Sequence, residues 1–209
     1  LEIDEVEYKG YKFKYRPNTT DWGVIQEAFG GLNTAFFDVE YDEIWYDFGA
    51  HIGAFTCYAA SEGAKVISFE PIPDNLNLLF QNIELNGFEN QVLIFPCAVL
   101  KDDGELDIYN DPINCGHCGK YDDKGLETIK VKVKSISKII FPDTFNIKLD
   151  VEGSELEILE GLDLSKVKKL VMEFHYWYPH LLGFDIKSLL NKNFSHVTQE
   201  REYMFYAWK

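Results

Sequence analysis

The stretch "YDFGAHIGAFT", Tyr46 to Thr56, decides the fold. It follows a short apolar run and leads into an apolar-periodic one, so it reads as a strand, a glycine turn and a helix. Such turns commonly serve a nucleotide, because backbone N–H groups at a helix start attract polar or anionic ligand groups. A dinucleotide fingerprint would be G-x-G-x-x-G. Gly49 and Gly53 are present, but His51 stands where a glycine would let the backbone approach a pyrophosphate.

Outward from that turn, strand and helix patterns alternate from about Glu43 to Phe174, the sign of an α/β domain with a largely parallel sheet. "KVISFE" reads as the second strand and "PIPDNLNLLFQNIELNG" as a helix with Leu76, Leu79, Phe80 and Ile83 at helical spacing and Gly87 as terminator. "QVLIFPCAV" reads as one third strand. "ELDIY" and "ETIKVKV" read as strands around a glycine- and cysteine-containing loop, as an insertion beside a binding cleft would. "FNIKLDV" resumes as a buried strand, and "SELEILEG" as a helix opened by a Ser154 to Glu157 capping box. "KKLVMEF" is a further strand, and "FSHVTQE" with "EYMFYAW" a closing antiparallel hairpin. Before the core, "VEYKGYKFKYRP" reads as a hairpin and "DWGVIQEAFGG" as a short helix, expected at one sheet edge. The division is therefore an extension over residues 1–40 packed on a core domain over residues 41–209. The architecture is Rossmann-like, mostly parallel, with a C-terminal antiparallel hairpin.

Composition narrows the function classes. The 209 residues are 46% hydrophobic, enough for one compact domain with a full core. Thirty-five Asp and Glu against 20 Lys and Arg give a net charge of −15, and no basic cluster offsets it, so a nucleic-acid partner is not expected. With no apolar run of transmembrane length and no signal peptide, a membrane partner is not expected either, and cytoplasmic is the default location. A chain that starts at Leu1 rather than Met suggests a processed product, a trimmed sequence or a domain of a larger multi-enzyme polypeptide.

Two constellations carry chemistry. Asp47, Gly49, Gly53 and Glu70 form the first: Glu70 ends the second strand 21 residues after Gly49, where an acid in a nucleotide-binding α/β fold accepts hydrogen bonds from ribose hydroxyls. A ribose without a pyrophosphate points to a nucleoside cofactor such as S-adenosylmethionine (SAM). In the second, "IKLDVEGSELEILEG", Lys148, Asp150 and Glu152 alternate with Ile147, Leu149 and Val151 and share one face at the carboxyl end of a strand. They form either part of a cleft or a structural salt-bridge set. In "EFHYWYPH", Glu173 and His175 end the neighbouring strand; His175 reads as a second base, a ligand beside Asp150 and Glu152 for a divalent cation, or a satisfied core histidine. Tyr176, Trp177 and Tyr178 read as a sugar platform or as ordinary packing. "NCGHCGK", with Cys115 and Cys118, lacks the strand-to-helix context of a redox pair and two further zinc ligands, and reads as a glycine loop near the acceptor.

"DFGAHIGAFT", "FEPIPDNLNLLFQNIELNG", "CAVLKDDG", "IKLDVEGSELEILEG" and "VMEFH", in this order, resemble the FkbM family of SAM-dependent methyltransferases over about Ile44 to His175. The most specific part is K-x-D-x-E-G-x-E. The resemblance implies a class I methyltransferase fold and O-methylation, often of a sugar or polyketide-type hydroxyl. It places Asp47, Gly49, Ala50, His51 and Gly53 around the methionine part of SAM, with Phe55 and Thr56 just behind in the helix. It sets Glu70 on the ribose, Pro71 and Asn75 beside it, Ala98 at the adenine, and Asp150 facing the methyl group. Asp150, His175, Glu152 and Lys148 are the catalytic candidates, and no metal is expected, although a divalent ion is conceivable. The family often has Asn where this chain has His51. The expected function is SAM-dependent methyl transfer to a hydroxyl of a small-molecule or glycan acceptor. The alternatives are an NAD-type oxidoreductase and a non-catalytic SAM-binding module.

Overall fold

The computed structural model describes residues 2–30, 38–109 and 127–209. Its elements are β1 (Asp4–Tyr8), β2 (Tyr11–Tyr15), α1 (Asp21–Gly30), β3 (Ile44–Phe48), α2 (Ala54–Ser61), β4 (Lys65–Phe69), α3 (Pro73–Asn86), β5 (Val92–Phe95), β6 (Ala98–Leu100), β7 (Gly104–Tyr109), β8 (Thr128–Ser135), β9 (Phe145–Leu149), α4 (Glu155–Gly161), β10 (Val167–Glu173), α5 (Ile186–Asn193), β11 (His196–Glu200) and β12 (Met204–Trp208). Seven strands form the central sheet in the order β11-β12-β10-β9-β3-β4-β5. From β10 to β5 they run parallel, and β12 enters antiparallel between β11 and β10. Among the described residues no helix is long and apolar enough to cross a membrane.

Side-chain alternation along the strands distributes two cores over the two faces. On β3, Trp45 packs with α2 and α3, whereas Tyr46 and Phe48 pack with Ile147, Leu149 and the α4 and α5 residues Ile158 and Leu190. Polar residues that alternate with these are thereby forced together. Asp47 is in register with Lys148 across the β3–β9 pair, at the carboxyl end of both strands.

Three sequence expectations change. "QVLIFPCAV" is two strands: β5 ends at Phe95 on the edge of the central sheet, and after Pro96 β6 joins a separate three-stranded sheet, β6-β8-β7. A proline inside the run removes a ladder donor, which is the physical reason for the break. The N-terminal hairpin does not cover a sheet edge; β2 lies on α3, and α1 on α2. Its free edge is matched by two amides one helical turn apart: Asn86 accepts from Lys12 N and donates to Lys12 O, and Asn82 does the same with Lys14. That is why the inward stripe of α3 contains Asn75 and Asn82 beside Leu78, Leu79 and Ile83, while Phe80 stands half exposed. Third, Ser154 makes no side-chain cap bond at the start of α4. Glu155 bends back instead and accepts from Val151 N and Gly153 N.

Candidate functional site

A cavity of ≈ 460 Å³ opens at the carboxyl ends of β3, β4, β9 and β10, where open α/β sheets place their ligands. Its floor is the glycine turn. Gly49 has φ +81, and a Cβ there would come within 1.8 Å of the Asp150 carbonyl oxygen, so no other residue fits between β3 and β9. His51 also lies in the left-handed region, φ 53, which Asn tolerates better than most residues.

The turn's amides are already committed. Gly49 N and Ala50 N both donate to Phe69 O, Gly53 N donates to Ala50 O, and His51 N donates to Glu70 Oε2 at 2.8 Å. A pyrophosphate would need those groups. The Glu70 carboxylate is buried and also accepts from Ile72 N at 2.8 Å. Burial pushes its pKa up, and the Ile72 and His51 donors pull against that. Glu70 thus ties β4, the turn and the start of α3 into one rigid rim while facing the cavity.

The N-terminal extension completes this rim, which no sequence pattern announced. Asp21 is fully buried and accepts from Arg16 N and Nε on Oδ2 and from Nη2 on Oδ1, at 2.8–2.9 Å, with His51 Nε2 3.2 Å from Oδ1. Arg16 also donates to Asn75 Oδ1 at 2.7 Å. Burial alone would raise the Asp21 pKa, but the His51 and Arg16 hydrogen bonds outweigh it and hold the carboxyl well below its ordinary range. Thr19, Thr20, Gly23 and Glu27 of this segment line the cavity.

Of the expected site residues, Gly49, Ala50, His51, Phe55, Glu70, Pro71, Asn75, Ala98, Lys148, Asp150 and Glu152 line the cavity. Asp47, Gly53, Thr56 and His175 lie behind its wall. Thr56 donates to Asp47 Oδ2 at 2.7 Å, both fully buried, and a Cβ on Gly53 would strike Leu79. Lys148 spends its charge on the turn: Nζ donates to Gly49 O at 2.5 Å and lies 3.3 Å from Asp47 Oδ1 and 3.7 Å from Asp150 Oδ2. Burial would lower its pKa, but Asp47 and Asp150 raise it overall, so Lys148 is a fixed cation rather than a base. Ala98 adjoins an apolar end formed with Ile72, Leu106 and Ile108, the last two from β7. The "NCGHCGK" loop lies outside the described residues.

His175 is fully buried, with Nδ1 2.7 Å from Glu155 Oε1. Burial opposes its charge, but the Glu152 and Glu155 carboxylates push its pKa up to about 12. Tyr176, Trp177 and Tyr178 do not line the cavity; Trp177 stands edge-on to the His175 ring, centroids 5.0 Å apart. Two acids to which the sequence pattern assigns no role also belong here. Glu155 is the last letter of the K-x-D-x-E-G-x-E motif, and Glu173 lines the cavity on the face of β10 shared with Val171. Burial, then the nearby Asp150 charge, pushes the Glu173 pKa up to about 8.

A mostly parallel seven-stranded sheet with one antiparallel insertion, and a cavity at the carboxyl ends of its strands rimmed by the buried Glu70, is the class I, Rossmann-like methyltransferase architecture. The model of the methyltransferase FkbM domain matches residues 47–200, and the chain belongs to that family. Among curated relatives, hexuronic acid methyltransferase AglP of Haloferax volcanii is 28% identical over 144 residues, a match covering 66% of this chain and 58% of the relative. Methyltransferase sdnD of Sordaria araneosa is 27% identical over 194 residues, 74% of each. Of solved structures, Methanocaldococcus jannaschii Trm5 in complex with adenosine shares the fold, with a TM-score of 0.51 at 11% identity, over 98% of this chain and 53% of that one.

Proposed function

We propose that this chain is a SAM-dependent O-methyltransferase acting on a hydroxyl of a sugar or glycan. The observation that carries the reading is the Glu70 rim: a buried carboxylate faces the cavity while the Gly49, Ala50, His51 and Gly53 N–H groups of the adjoining turn are committed within the fold rather than offered to a pyrophosphate. That combination suits a ribose without phosphates and weighs against an NAD-type oxidoreductase. In this reading Gly49, Ala50 and His51 floor the methionine part, and Glu70 takes the ribose hydroxyls. Asn75 and Pro71 shape the rim, and the apolar end at Ala98, Ile72, Leu106 and Ile108 takes the adenine. Asp47, Gly53 and Thr56 act through the turn they hold.

The chemistry asked of the protein is modest. SAM carries its own positively charged leaving group, so the site has to align oxygen, methyl and sulfur and accept the hydroxyl proton. The new bond joins acceptor oxygen to methyl carbon, the carbon–sulfur pair stays on sulfur, and the proton passes to Asp150. Asp150 lines the cavity with its side chain 34% exposed, the geometry required of a base that meets an acceptor. The mouth carries Glu27, Asp150 and Glu173 against Arg201, which favours a neutral acceptor over a polyanion. A sugar is favoured because the relative in Haloferax volcanii is a hexuronic acid methyltransferase. The test is turnover of labelled SAM against neutral saccharides, hexuronic acids and RNA, with mass analysis of the product. A methyl ether on a saccharide hydroxyl supports the reading, and label in RNA alone refutes it.

A further inference from the structure

Behind Asp150 the cavity ends in a group of acids that neither the fold nor the proposed SAM contacts explain. His175 Nε2 and Glu152 Oε2 are both buried without a hydrogen-bond partner of acceptable geometry, and they face each other at 3.3 Å. Nε2 also has Asp150 Oδ1 at 3.9 Å and Glu173 Oε1 at 3.8 Å. The latter two distances are too long for hydrogen bonds. Two ligand atoms that share one ion at about 2.0–2.2 Å from each can lie up to about 4.4 Å apart, so both separations are within reach of a common ion at wide angles. Among the described residues Asp150, Glu173 and His175 are the group whose ligand atoms all lie within 4.8 Å of one another.

Charge points the same way. Five acidic side chains, Asp47, Asp150, Glu152, Glu155 and Glu173, crowd around Lys148 and His175. Lys148 is held on the Asp47 side, and Arg201 at the mouth lies 3.9 Å from Glu27. Lys148 still reaches Asp150 Oδ2 at 3.7 Å, whereas among the described residues no Lys or Arg lies within ion-pair distance of the Glu173 carboxyl. Buried polar atoms without partners are rare in native structures and commonly mark an ion or an ordered water. Here two such atoms lie 3.3 Å apart, and one of them, His175 Nε2, is within 4 Å of both Asp150 and Glu173.

We propose that Asp150, Glu173 and His175, with Glu152 beside them, bind one first-row divalent cation, Mn²⁺ being the working choice. One imidazole among carboxylates suits Mn²⁺, Fe²⁺ or Zn²⁺ better than Ca²⁺. Glu155, bonded to Nδ1, is the partner that orients the ring so that Nε2 faces the ion. Binding releases any proton that Nε2 carries to solvent. Asp150 and Glu173 are half-buried and line the cavity, which leaves coordination positions open towards the acceptor. A catalytic use of the ion rests on the methyl-transfer reading; its binding does not.

The test uses the full chain, stripped with a chelator and dialysed. Mn²⁺ is titrated in while free Mn²⁺ is followed by electron paramagnetic resonance and heat by calorimetry. One Mn²⁺ per chain should bind, and Glu173→Gln and Asp150→Asn should each weaken it at least about tenfold. Both sites face the cavity, so these variants serve even if His175→Gln fails to fold. A wild-type chain that takes up neither Mn²⁺ nor Zn²⁺ stoichiometrically overturns the proposal, as does unchanged binding in both variants. Methyl transfer that persists in the stripped enzyme removes the catalytic use alone. Stoichiometric Mn²⁺ in a chain that ignores SAM leaves the metal site standing and fells the methyl-transfer reading.

Discussion

Replacing Glu70 by Gln keeps its shape and removes its charge, and the geometry of the rim sets the cost. One carboxylate oxygen accepts from His51 N and the other from Ile72 N, each at 2.8 Å. An amide has a single oxygen, so whichever way Gln turns, its NH₂ meets one of those backbone N–H groups donor to donor. The variant loses one charge-assisted hydrogen bond and strands a buried N–H, for a combined cost of about 2–4 kcal/mol. For a domain of this size that is a melting temperature lower by roughly 5–15 °C. The cofactor contact is lost separately: a ribose hydroxyl that donated to the carboxylate forfeits about 1.5–3 kcal/mol, or roughly 10- to 150-fold in SAM affinity. Calorimetry well below the variant's melt reads the second effect, and thermal denaturation reads the first. A lowered melt with unchanged SAM affinity would place the ribose elsewhere, and an unchanged melt would refute the account of the rim itself.

Asp150→Asn should lower turnover about 10²- to 10⁴-fold while SAM still binds; single-turnover kinetics with normal rates would remove Asp150 as the base. Asp21→Asn should cost about 3–5 kcal/mol, because it leaves the buried Arg16 guanidinium short of its counter-charge. The acid limb of stability then has a definite sign. The Asp21 pKa is depressed in the fold, so its contribution is complete above the ordinary value of 3.8 and is lost as pH falls from there towards the folded value. Melting temperatures scanned from pH 7 to pH 2 should therefore fall more steeply for wild type than for Asp21→Asn, and parallel curves would contradict this. Activity on a saccharide should change little as salt is raised, because an acidic chain releases no counterions from a polyanion.

How much of this was legible in the sequence depended on whether the signal was local. Tyr46 to Thr56 announces strand, turn and helix because the apolar period switches from two to 3.6 across two glycines. Glu70 was legible because the spacing from Gly49 is imposed by one βαβ unit. The break at Pro96 was also written in the chain, and reading "QVLIFPCAV" as one strand ignored the donor that proline lacks. Glu155 stood inside a recognised motif, yet its role comes from a hydrogen bond to His175, twenty residues on and just past the end of the next strand. The Arg16–Asp21 clamp was out of reach: its partners His51 and Asn75 lie 35 and 59 residues from Arg16, and only the docking of β2 on α3 brings them together. His175 was legible as a candidate because it follows an acid at the end of a strand next to that of Asp150. Its surroundings, two buried carboxylates at 3.3 and 2.7 Å, were not.

The central claim is that the Glu70 rim holds SAM, and calorimetric titration of the wild-type chain with SAM, S-adenosylhomocysteine and NAD tests it most directly. The account predicts one site per chain for SAM and for its demethylated product, and no heat from NAD. Saturable binding of NAD with none of SAM would contradict it.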